Sequence, residues 1–356
     1  INTNNMSKKA PDTDFYQQRL PSLAPRLTPS FWLVFLLGLT AIFLPTGIFL
    51  VIENDLVHEQ RIEYDGRDND VSGCHISTSN QGTTCSFNVT LNEEMKGPIF
   101  VYYELQNYFA NHNRYVRSKN IPQLMGENLN KGEVELTCNP LTEIVENGQT
   151  FLLNPCGLIP NSFFNDIISV GSQEYPNLVM QEDDITLKTD RDVYSQVNGF
   201  QSISGDNATC AANIGATGSC WRQYRDDPST CFAYPNCETT RYLYETYPNV
   251  DPLLGVEDEH FIVWMRTAGL PKFRNLYGRI EDIDMKEGDT LQFSINNNFQ
   301  VRSFGGTKSI IISTVGLYGG NNDFSGVIYI LVGCFCFTAA VILAVSLACK
   351  VTIKVE

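Results

Sequence analysis

Two long apolar runs, one near each end of the chain, constrain this sequence more than any other feature. Residues 31–52 (FWLVFLLGLTAIFLPTGIFLVI) and residues 327–349 (VIYILVGCFCFTAAVILAVSLAC) contain no charged residue. At a helical rise of 1.5 Å per residue, each run is long enough to cross the roughly 30 Å hydrocarbon core of a bilayer. The sequence therefore predicts two transmembrane helices with most of the remaining chain between them.

The charges that flank the two runs predict which side of the membrane each segment faces. Residues 1–30 carry four basic and two acidic residues, and residues 350–356 carry two basic and one acidic. Because Lys and Arg in short flanks tend to stay cytosolic, we expect both termini in the cytosol and residues 53–326 outside or in a lumen. The first run is too long for a cleaved signal peptide and lacks a small-residue cleavage pattern, so we interpret it as an uncleaved anchor.

The segment between the runs, residues 53–326, is long enough to bury a large core. Six of the 25 basic residues and three of the 40 acidic residues of the chain lie in the flanks, which leaves this segment with a net charge of −18. Such a charge argues against binding to nucleic acid and against docking on anionic lipid headgroups. We interpret it as a solubilising surface.

Eight of the eleven cysteines lie in this segment, and an even number in an oxidising compartment predicts four disulfides. A zinc site is the alternative for the cluster at residues 210–237, but that cluster has no C-x-x-C pair and no nearby His. The three cysteines of the second apolar run are expected to be free thiols. The eight are Cys74, Cys85, Cys138, Cys156, Cys210, Cys220, Cys231 and Cys237.

Two N-glycosylation sequons, at Asn88 and Asn207, fall in the same segment. The first lies in an alternating run in which Phe87, Val89 and Leu91 are expected to face a core while Asn88 faces solvent. We therefore expect a glycan at each of the two asparagines.

Short runs of β-branched and aromatic residues, bounded by Gly, Asn or Pro, predict strands in this segment. Only a short helix, around residues 121–130, is expected, so an antiparallel β-sandwich is the natural architecture. Residues 202–240 are polar, rich in Gly and Asn and contain four cysteines, and we interpret them as a disulfide-stapled insertion. The predicted strands include residues 98–105, 261–266, 290–296 and 307–315.

The sequence contains no motif that predicts catalysis, a metal or a cofactor. None of its four histidines has the spacing of a metal site, and no G-x-S-x-G elbow is present. The segment FGGTKS at residues 304–309 lacks the spacing of a phosphate loop and is interpreted as a turn before a strand. A glycosidase-like pair of carboxylates stays open as an alternative, although such pairs are expected by chance on so acidic a surface.

Motifs spread along the chain resemble those of one family. Together with the two-span topology, they resemble the CDC fifty and LEM three family, the non-catalytic beta subunits of type IV P-type ATPase lipid flippases. The motifs are Gln17-Gln18-Arg19-Leu20, Tyr102-Tyr103-Glu104-Leu105, Asn107-Tyr108, Asn111-His112-x-Arg114-Tyr115-Val116-x-Ser118, Pro155-Cys156-Gly157-Leu158, Asn161-Ser162-x-Phe164-Asn165-Asp166, Val263-Trp264-Met265-Arg266-Thr267-Ala268, Leu270-Pro271-x-Phe273 and Phe304-Gly305-Gly306-Thr307-Lys308.

The resemblance implies a β-sandwich ectodomain that caps the exoplasmic loops of a catalytic alpha subunit, in a heterodimer that also contacts membrane lipids. The implied role is to let the pump fold, leave the endoplasmic reticulum and complete the cycle that moves phospholipid from the exoplasmic to the cytosolic leaflet. The endoplasmic reticulum, Golgi, endosome and plasma membrane are the implied locations. Two disulfides are also implied, Cys74 with Cys85 and Cys138 with Cys156, and the cysteines at 210, 220, 231 and 237 would then pair in one of three ways.

We expect the partner to be contacted in three regions. For Arg266 and Lys272, an ion pair within the ectodomain is an equal alternative. For the small residues of the second span, packing against the first span or lipid is an equal alternative. For Trp264, Tyr102 and Tyr103, a place in the core is the favoured interpretation. The contact residues are Gln17, Gln18, Arg19 and Leu20 in the leader, Arg266 and Lys272 in a turn, and Ala340 and Ala344 in the second span.

The chain departs from the family pattern at three places, and two other functions compete. Residues 202–240 have no counterpart in the family core and are where the choice of partner could differ. Asn113 stands where the family usually has a second Arg, and Ile167 removes a sequon at Asn165. A two-span ligand-gated channel subunit shares the topology, but the second span offers a pore only Thr338 and Ser346. A stand-alone membrane receptor is the other alternative.

Overall fold

The computed structural model describes residues 11–20, 28–66, 74–76, 81–204, 220–316 and 319–349. Its internal contacts divide the chain into two units, one formed by residues 1–54 and 322–356 and the other by residues 55–321. Within the described residues the helices are α1 (Pro29–Asp55), α2 (Asn113–Arg117), α3 (Ile121–Leu124), α4 (Lys131–Cys138), α5 (Lys188–Arg191), α6 (Leu243–Thr246), α7 (Glu259–Met265) and α8 (Asp323–Ala348).

The strands of the described residues all belong to the second unit. In chain order they are β1 (Glu59–Asp65), β2 (Thr83–Thr90), β3 (Ile99–Gln106), β4 (Glu143–Glu146), β5 (Gln149–Asn154), β6 (Ile167–Ser172), β7 (Met180–Gln181), β8 (Gln201–Ser204), β9 (Cys220–Gln223), β10 (Thr230–Tyr234), β11 (Thr240–Tyr242), β12 (Phe273–Ile280), β13 (Thr290–Asn297) and β14 (Thr307–Ser313).

The first unit consists of α1 and α8, which are both long and apolar enough to cross a membrane. The two helices pack closely at positions where one of them has a glycine. A Cβ added at Gly333 would lie 3.0 Å from the backbone nitrogen of Leu44, and one at Gly47 would lie 2.7 Å from the backbone nitrogen of Ile330. Small residues thus let the two backbones approach each other.

The second unit is built on two antiparallel sheets. The larger has the strand order β1-β14-β3-β12-β7, and the smaller has the order β2-β13-β6. Two further three-stranded sheets, β8-β10-β9 and β11-β5-β4, flank them, and the β11–β5 pair is parallel. The expected antiparallel β-sheet architecture is confirmed.

One core lies between the inner faces of the two main sheets. Val101 and Tyr103 of β3 and Ile310 of β14 share a cluster of buried side chains with Phe293 and Ile295 of β13. Alternate residues of each strand enter this cluster because successive side chains of a strand point to opposite faces. The inner faces therefore close the core that the sequence alternation predicts.

Three of the four predicted strands are confirmed, with ends that differ by a few residues. They correspond to β3, β13 and β14. The alternation in β2 is also observed, because Val89 and Leu91 are buried, Phe87 is half-buried and Asn88 is exposed.

The predicted strand at residues 261–266 is wrong, because these residues belong to helix α7. The Asp258 carboxylate accepts a hydrogen bond from the backbone N–H of Phe261 at 3.1 Å and so caps the helix. The buried residues Phe261, Trp264 and Met265 recur at a spacing of three and four, which is the period of a helix face. The short helix expected around residues 121–130 is limited to α3.

Two disulfides join the pairs that the family resemblance implies, Cys74 with Cys85 and Cys138 with Cys156. Cys231 and Cys237 are disulfide-bonded as well. Cys210 and the side chain of Cys220 lie outside the described residues, so the pairing of these four cysteines stays a prediction. The three cysteines at the end of the chain, Cys334, Cys336 and Cys349, are free thiols.

Candidate functional site

Three loops that carry the family motifs meet at one end of the five-stranded sheet. Residues 107–112 follow β3, residues 266–272 precede β12, and residues 298–306 precede β14. In the sheet, β3 lies between β14 and β12 and runs antiparallel to both. The end of β3 therefore lies beside the beginnings of β12 and β14. We call this region the three-loop surface.

Side-chain amides bind the three loops to one another. Asn107 donates through Nδ2 to the carbonyl of Phe304 at 2.8 Å, and Asn111 donates through Nδ2 to the carbonyl of Gly269 at 3.0 Å. Asn107 has a φ of 61°, in the left-handed region that Asn tolerates better than most residues. An asparagine at residue 107 therefore both turns the first loop and fastens it to the third.

The aromatic ring of Tyr108 forms the centre of this surface. Its ring centroid lies between 5.5 and 6.1 Å from five other aromatic ring centroids, at angles that favour edge contacts. These contacts join the first and third loops with helices α2 and α7 and with the start of β12, and they explain why aromatic residues recur in the motifs. The five rings are those of Tyr115, Trp264, Phe273, Phe299 and Phe304.

The polar atoms of these rings are satisfied. The Tyr108 hydroxyl donates to the Tyr115 hydroxyl at 3.0 Å, which lies 2.8 Å from the hydroxyl of Ser162. The Trp264 indole N–H donates to the carbonyl of Ile159 at 2.9 Å. Burial raises the pKa of Tyr108 and of Tyr115, so both hydroxyls stay protonated at neutral pH. The expected core positions of Trp264 and Tyr103 are confirmed, whereas Tyr102 is half-buried.

Two apolar side chains and two cations stand on the outside of the three-loop surface. Phe109 is 57% exposed and Leu270 is 70% exposed. Arg266 lies 3.0 Å from Asp190, and the Lys272 Nζ lies 3.4 Å from a carboxylate oxygen of Glu104. The ion pairs that competed with a partner contact for these two cations are therefore present.

Beneath this surface lies a group of polar side chains that are almost fully buried. We call the side chains of Tyr64, Asp65, Asp166, Asn297 and Lys308 the buried polar node. The Lys308 side chain is 1% exposed and those of both aspartates are 0% exposed. Charged residues are this deeply buried only when they are paired.

Lys308 uses its ammonium group to join several elements. Its Nζ donates to Asp166 Oδ2 at 2.8 Å, to the carbonyl of Phe299 at 2.6 Å and to the side chain of Asn297. An ammonium group has three donors, and all three have acceptors here. The amide nitrogen of Asn297 donates in turn to the carbonyl of Cys74. Lys308 thus ties β14 to the end of β13 and to the third loop.

Asp166 accepts hydrogen bonds on both of its carboxylate oxygens. Its Oδ2 accepts from the Tyr64 hydroxyl at 2.8 Å as well as from Lys308, and its Oδ1 accepts from the backbone N–H groups of Asn298 and Phe299 at 2.6 Å each. Burial, followed by the charge of Asp166, raises the pKa of Tyr64, so its hydroxyl remains a donor. Asp166 is therefore fully satisfied, as a buried carboxylate must be.

Asp65 is held by charge rather than by hydrogen bonds. Its oxygens lie 3.5 Å from Lys308 Nζ, 3.7 Å from Arg302 Nε and 3.7 Å from His75 Nδ1. Within the part of the chain that the structure describes, neither oxygen has a hydrogen-bond partner. The charges of Lys308 and Arg302 compensate a burial that would otherwise be costly.

Phe299 connects the node with the three-loop surface. Its backbone binds Asp166 and Lys308, and its ring lies 6.1 Å from that of Tyr108. The exposed Phe109 is the next residue after Tyr108. The position of the exposed side chains therefore depends on a chain of contacts that begins at a buried ion pair.

The other predicted contact residues lie in the first unit. Gln17, Gln18, Arg19 and Leu20 are exposed in a short turn. Ala340 is 1% exposed, and it lies on α8 seven residues after Gly333, on the face that packs against α1. Ala344 is half-buried. At Ala340, the small-residue face of α8 therefore packs against α1. This packing against the first span is one of the alternatives to a partner contact that the sequence left open.

Of the two predicted glycosylation sites, Asn88 is exposed on the outer face of β2. Asn207 lies outside the described residues. No three His, Cys, Asp or Glu side chains of the described residues are placed to hold a metal ion.

Sequence reasoning missed the node, although it singled out two of its members within motifs. Tyr64, Asp65 and Asn297 carried no signal of their own. Lys308 did carry one, because it stands in the run TKSIIIS, whose apolar residues predict a buried strand. A lysine in such a strand requires a buried acceptor, but the sequence does not say which acidic residue supplies it.

Comparisons with known proteins place the chain among relatives along nearly its whole length. Residues 50–352 match the family model described as LEM3 (ligand-effect modulator 3) family / CDC50 family. Putative ALA-interacting subunit 4 of Arabidopsis thaliana is 33% identical over 347 residues, which cover 95% of this chain and 90% of that protein. Cell cycle control protein 50A of Mus musculus is 31% identical, over 95% of this chain and 89% of its own. Phospholipid-transporting ATPase accessory subunit CRF1 of Saccharomyces cerevisiae is 28% identical over a match that covers 92% of this chain and 82% of that protein.

Proposed function

Because this chain belongs to the LEM3 and CDC50 family, we propose that it is the accessory subunit of a phospholipid-transporting ATPase. The yeast relative carries that description in its name, and the Arabidopsis relative is named as an interacting subunit. The observation that carries the proposal is the family match from residue 50 to residue 352, which includes the whole of the second unit and helix α8. On this proposal the chain is a non-catalytic beta subunit in a heterodimer with a catalytic alpha subunit.

The proposal includes a membrane topology with both termini in the cytosol. Residues 31–52 and 327–349 span the bilayer, residues 53–326 lie on the exoplasmic side, and residues 1–30 and 350–356 are cytosolic. Support comes from the basic flanks and from helices α1 and α8, which have the length and composition of membrane spans. Oxidised cysteines in the second unit also support an exoplasmic location, since disulfides persist in oxidising compartments.

The β-rich unit has the features of a rigid cap rather than those of a catalytic domain. Two disulfides, one large core and the buried polar node fix its loops. A rigid surface loses little conformational entropy when it binds, which favours a stable complex. We propose that this cap covers exoplasmic loops of the pump and thereby lets it fold, leave the endoplasmic reticulum and complete its transport cycle.

We propose the three-loop surface as the part of the cap that meets the pump. Exposed aromatic and aliphatic side chains surrounded by cations are typical of interface centres and their rims. Phe109 and Leu270 supply the apolar part, while the exposed cations of Arg266 and Lys272 can exchange their intramolecular ion pairs for carboxylates of a partner.

In the first unit, we propose contacts through the leader and through α8. The side chains of Gln17, Gln18, Arg19 and Leu20 are all exposed and available. On α8, Ala344 is a better candidate than Ala340, since Ala340 is already buried on the face that packs against α1.

The proposal is tested by affinity purification of the tagged protein from its native membranes in mild detergent. Mass spectrometry should identify one ten-span P-type ATPase in stoichiometric amount. Recovery of the tagged protein only with copies of itself would contradict the proposal and favour a channel subunit.

The contact surface is tested with the double variant F109S/L270S in the same purification. We expect it to recover at least tenfold less ATPase while its thermal unfolding is unchanged, because both side chains are exposed. Leu136→Ser is the matched control, since Leu136 is 87% exposed on α4, outside the three-loop surface. Equal recovery with both variants would remove the three-loop surface from the interface.

A further inference from the structure

A cavity of about 440 Å³ opens in the β-rich unit, beside the buried polar node. Its volume falls within the range of sites for small ligands, roughly 300–1,000 Å³. The proposed role in a pump complex gives this cavity no function. Its lining includes Tyr103, Phe164, Asn165, Asn249, Tyr277 and Asn296.

Aromatic rings form one wall of the cavity. The rings of Tyr103 and Phe164 are stacked, with centroids 3.9 Å apart and planes within 4° of each other. Tyr277 stands edge-on to Tyr103 at 6.5 Å, and His260 lies 4.5 Å from Tyr277. Such a wall offers flat apolar faces beside polar ring edges.

The charged groups at the cavity already have partners within the protein. Asp166 is neutralised by Lys308 at 2.8 Å, and Glu182 lies 2.9 Å from the Nε2 atom of His260. Lys308 offsets the charge of Asp166, and Glu182 lies within hydrogen-bond distance of His260, so both carboxylates are already engaged within the protein.

The two remaining charged groups are also engaged. Arg225 forms two hydrogen bonds to Asp226, at 2.9 and 3.0 Å, and Asp258 caps helix α7. Arg225 is therefore paired with a carboxylate, and Asp258 is held by a backbone donor. Burial also raises the pKa of Asp258 and so disfavours its charged form, which together with these contacts favours a neutral ligand.

The groups left for a ligand are neutral and polar. Among the described residues, the side-chain amides of Asn165 and Asn249 make no hydrogen bond. The Tyr103 hydroxyl accepts from Asn275 at 2.9 Å and the Tyr277 hydroxyl accepts from the backbone of residue 168 at 3.0 Å, so each retains an O–H to donate. Tyr103 is 3% exposed and Tyr277 is 5% exposed. Burial raises the pKa of both, which keeps them protonated.

We propose that this cavity binds a neutral saccharide unit. Sugar hydroxyls both donate and accept hydrogen bonds, and they match amide and hydroxyl groups that do the same. The C–H face of a sugar ring is apolar and can pack on the aromatic wall of the cavity. A buried hydroxyl without an acceptor costs stability, and the saccharide would satisfy the two tyrosine donors.

An N-linked glycan of this same chain is within reach of the cavity. Asn88 pairs with Gln292 across β2 and β13, and the cavity residue Asn296 lies on the same face of that sheet, four residues further along β13. At 3.2–3.4 Å per residue the two points are about 13 Å apart along the strand. This source rests on the exoplasmic location of the proposed function, whereas the binding of a sugar does not.

The test uses the full-length protein in detergent micelles, in its glycosylated form and as the variant N88Q. The probes are N,N′-diacetylchitobiose and mannotriose, with choline chloride as the cationic comparison, and binding is read from saturation-transfer difference NMR titrations. We expect saturable binding of at least one sugar probe and none of choline. The variants N165A and N249A should each weaken it about tenfold, because each removes one amide that faces the cavity. Asn177→Ala, an exposed amide in a turn outside the cavity, should leave it unchanged.

Two arms of the titration distinguish the sources of the sugar. Stronger binding by N88Q than by the glycosylated protein supports occupation by the glycan of Asn88, and equal binding supports a saccharide from another molecule. Choline binding without sugar binding would overturn the proposal, as would sugar binding that N165A, N249A and N177A leave equally intact. Because no side-chain hydrogen bond within the described residues is lost in these variants, their thermal unfolding should be close to that of the wild type. None of these outcomes depends on the presence of a pump.

Discussion

Two lysine–carboxylate pairs near the same end of the five-stranded sheet differ mainly in the burial of the lysine. Lys308 lies 2.8 Å from Asp166 and its side chain is 1% exposed, whereas Lys272 lies 3.4 Å from Glu104 and its side chain is 59% exposed. The buried ammonium group has three protein acceptors, while the exposed one faces water as well. The same chemistry therefore determines the fold in one place and leaves a replaceable contact in the other.

The largest effect is expected from Lys308→Met, which removes the cation of the buried pair. Asp65 and Asp166 would be left as buried carboxylates without their shared ammonium group, and such a change typically costs about 3–5 kcal/mol. We expect the variant to unfold at a much lower temperature than the wild type or to fail to leave the endoplasmic reticulum. Thermal unfolding of the purified protein and sensitivity of its glycans to endoglycosidase H measure the two outcomes.

Lys272→Met is the matched control, because the substitution is identical but this lysine is exposed and its partner Glu104 keeps a hydrogen bond from Arg61 at 2.7 Å. An exposed pair contributes roughly 0–1 kcal/mol, so the unfolding temperature should hardly change. If the two variants were equally stable, burial would not distinguish the two pairs and the node would not be a determinant of the fold.

A second contrast involves two tyrosine hydroxyls that donate to aspartates. The Tyr64 hydroxyl lies 2.8 Å from Asp166 in the core, and the Tyr175 hydroxyl lies 2.7 Å from Asp289 near the surface. We expect Tyr64→Phe to lower the free energy of unfolding by about 1.5–3 kcal/mol, as for a hydrogen bond to a charged group. Tyr175→Phe should cost less, because water replaces the lost donor there. Urea titrations of both variants measure the difference, and a larger loss for Tyr175→Phe would contradict it.

These contrasts show why the sequence predicts the helices and strands of this protein better than the buried contacts that join them. The two apolar runs and the alternating strands β3, β13 and β14 are local patterns, so their prediction needs no knowledge of the fold. The bond between Asp166 and Lys308 joins residues 142 positions apart, and no local pattern reports it. Only the pairing of β14 between β1 and β3 brings Lys308 into the core.

The one predicted strand that proved to be a helix shows the limit of composition as a guide. Residues 261–266 contain the aromatic and β-branched residues that favour strands, but Asp258 caps a helix in front of them. The spacing of Phe261, Trp264 and Met265 already indicated a helix face. In such a short segment, the cap and the spacing outweigh residue type. The three-loop surface was predictable as a set of motifs, while its assembly around Tyr108 was not.

A smaller effect is expected from Arg266→Gln on the three-loop surface. The Arg266 side chain is 63% exposed, and its pair with Asp190 is accessible to solvent and salt. The variant should lose less than about 1 kcal/mol in the free energy of unfolding, and the loss should fade at 1 M salt, where charges are screened within about 3 Å. A loss that persisted at high salt would mean that Arg266 belongs to the fold, like Lys308, and would weaken its assignment to the interface.

The smallest effect concerns Asp258, a half-buried carboxylate that has no lysine partner and therefore completes the comparison. Burial raises the pKa of Asp258 above its usual value, and the charge of His260 and backbone hydrogen bonds oppose that shift only in part. In the pH range between the unfolded and folded pKa values, the folded protein keeps a proton that the unfolded chain has lost, so this group makes the protein less stable as pH rises. Asp258→Asn keeps the cap of α7 and does not titrate. The free energy of unfolding of the variant, relative to the wild type, should therefore increase between pH 4 and pH 7 in urea titrations. A difference that stays constant or falls over this range would show that the backbone donors already satisfy Asp258 as fully as Lys308 satisfies Asp166.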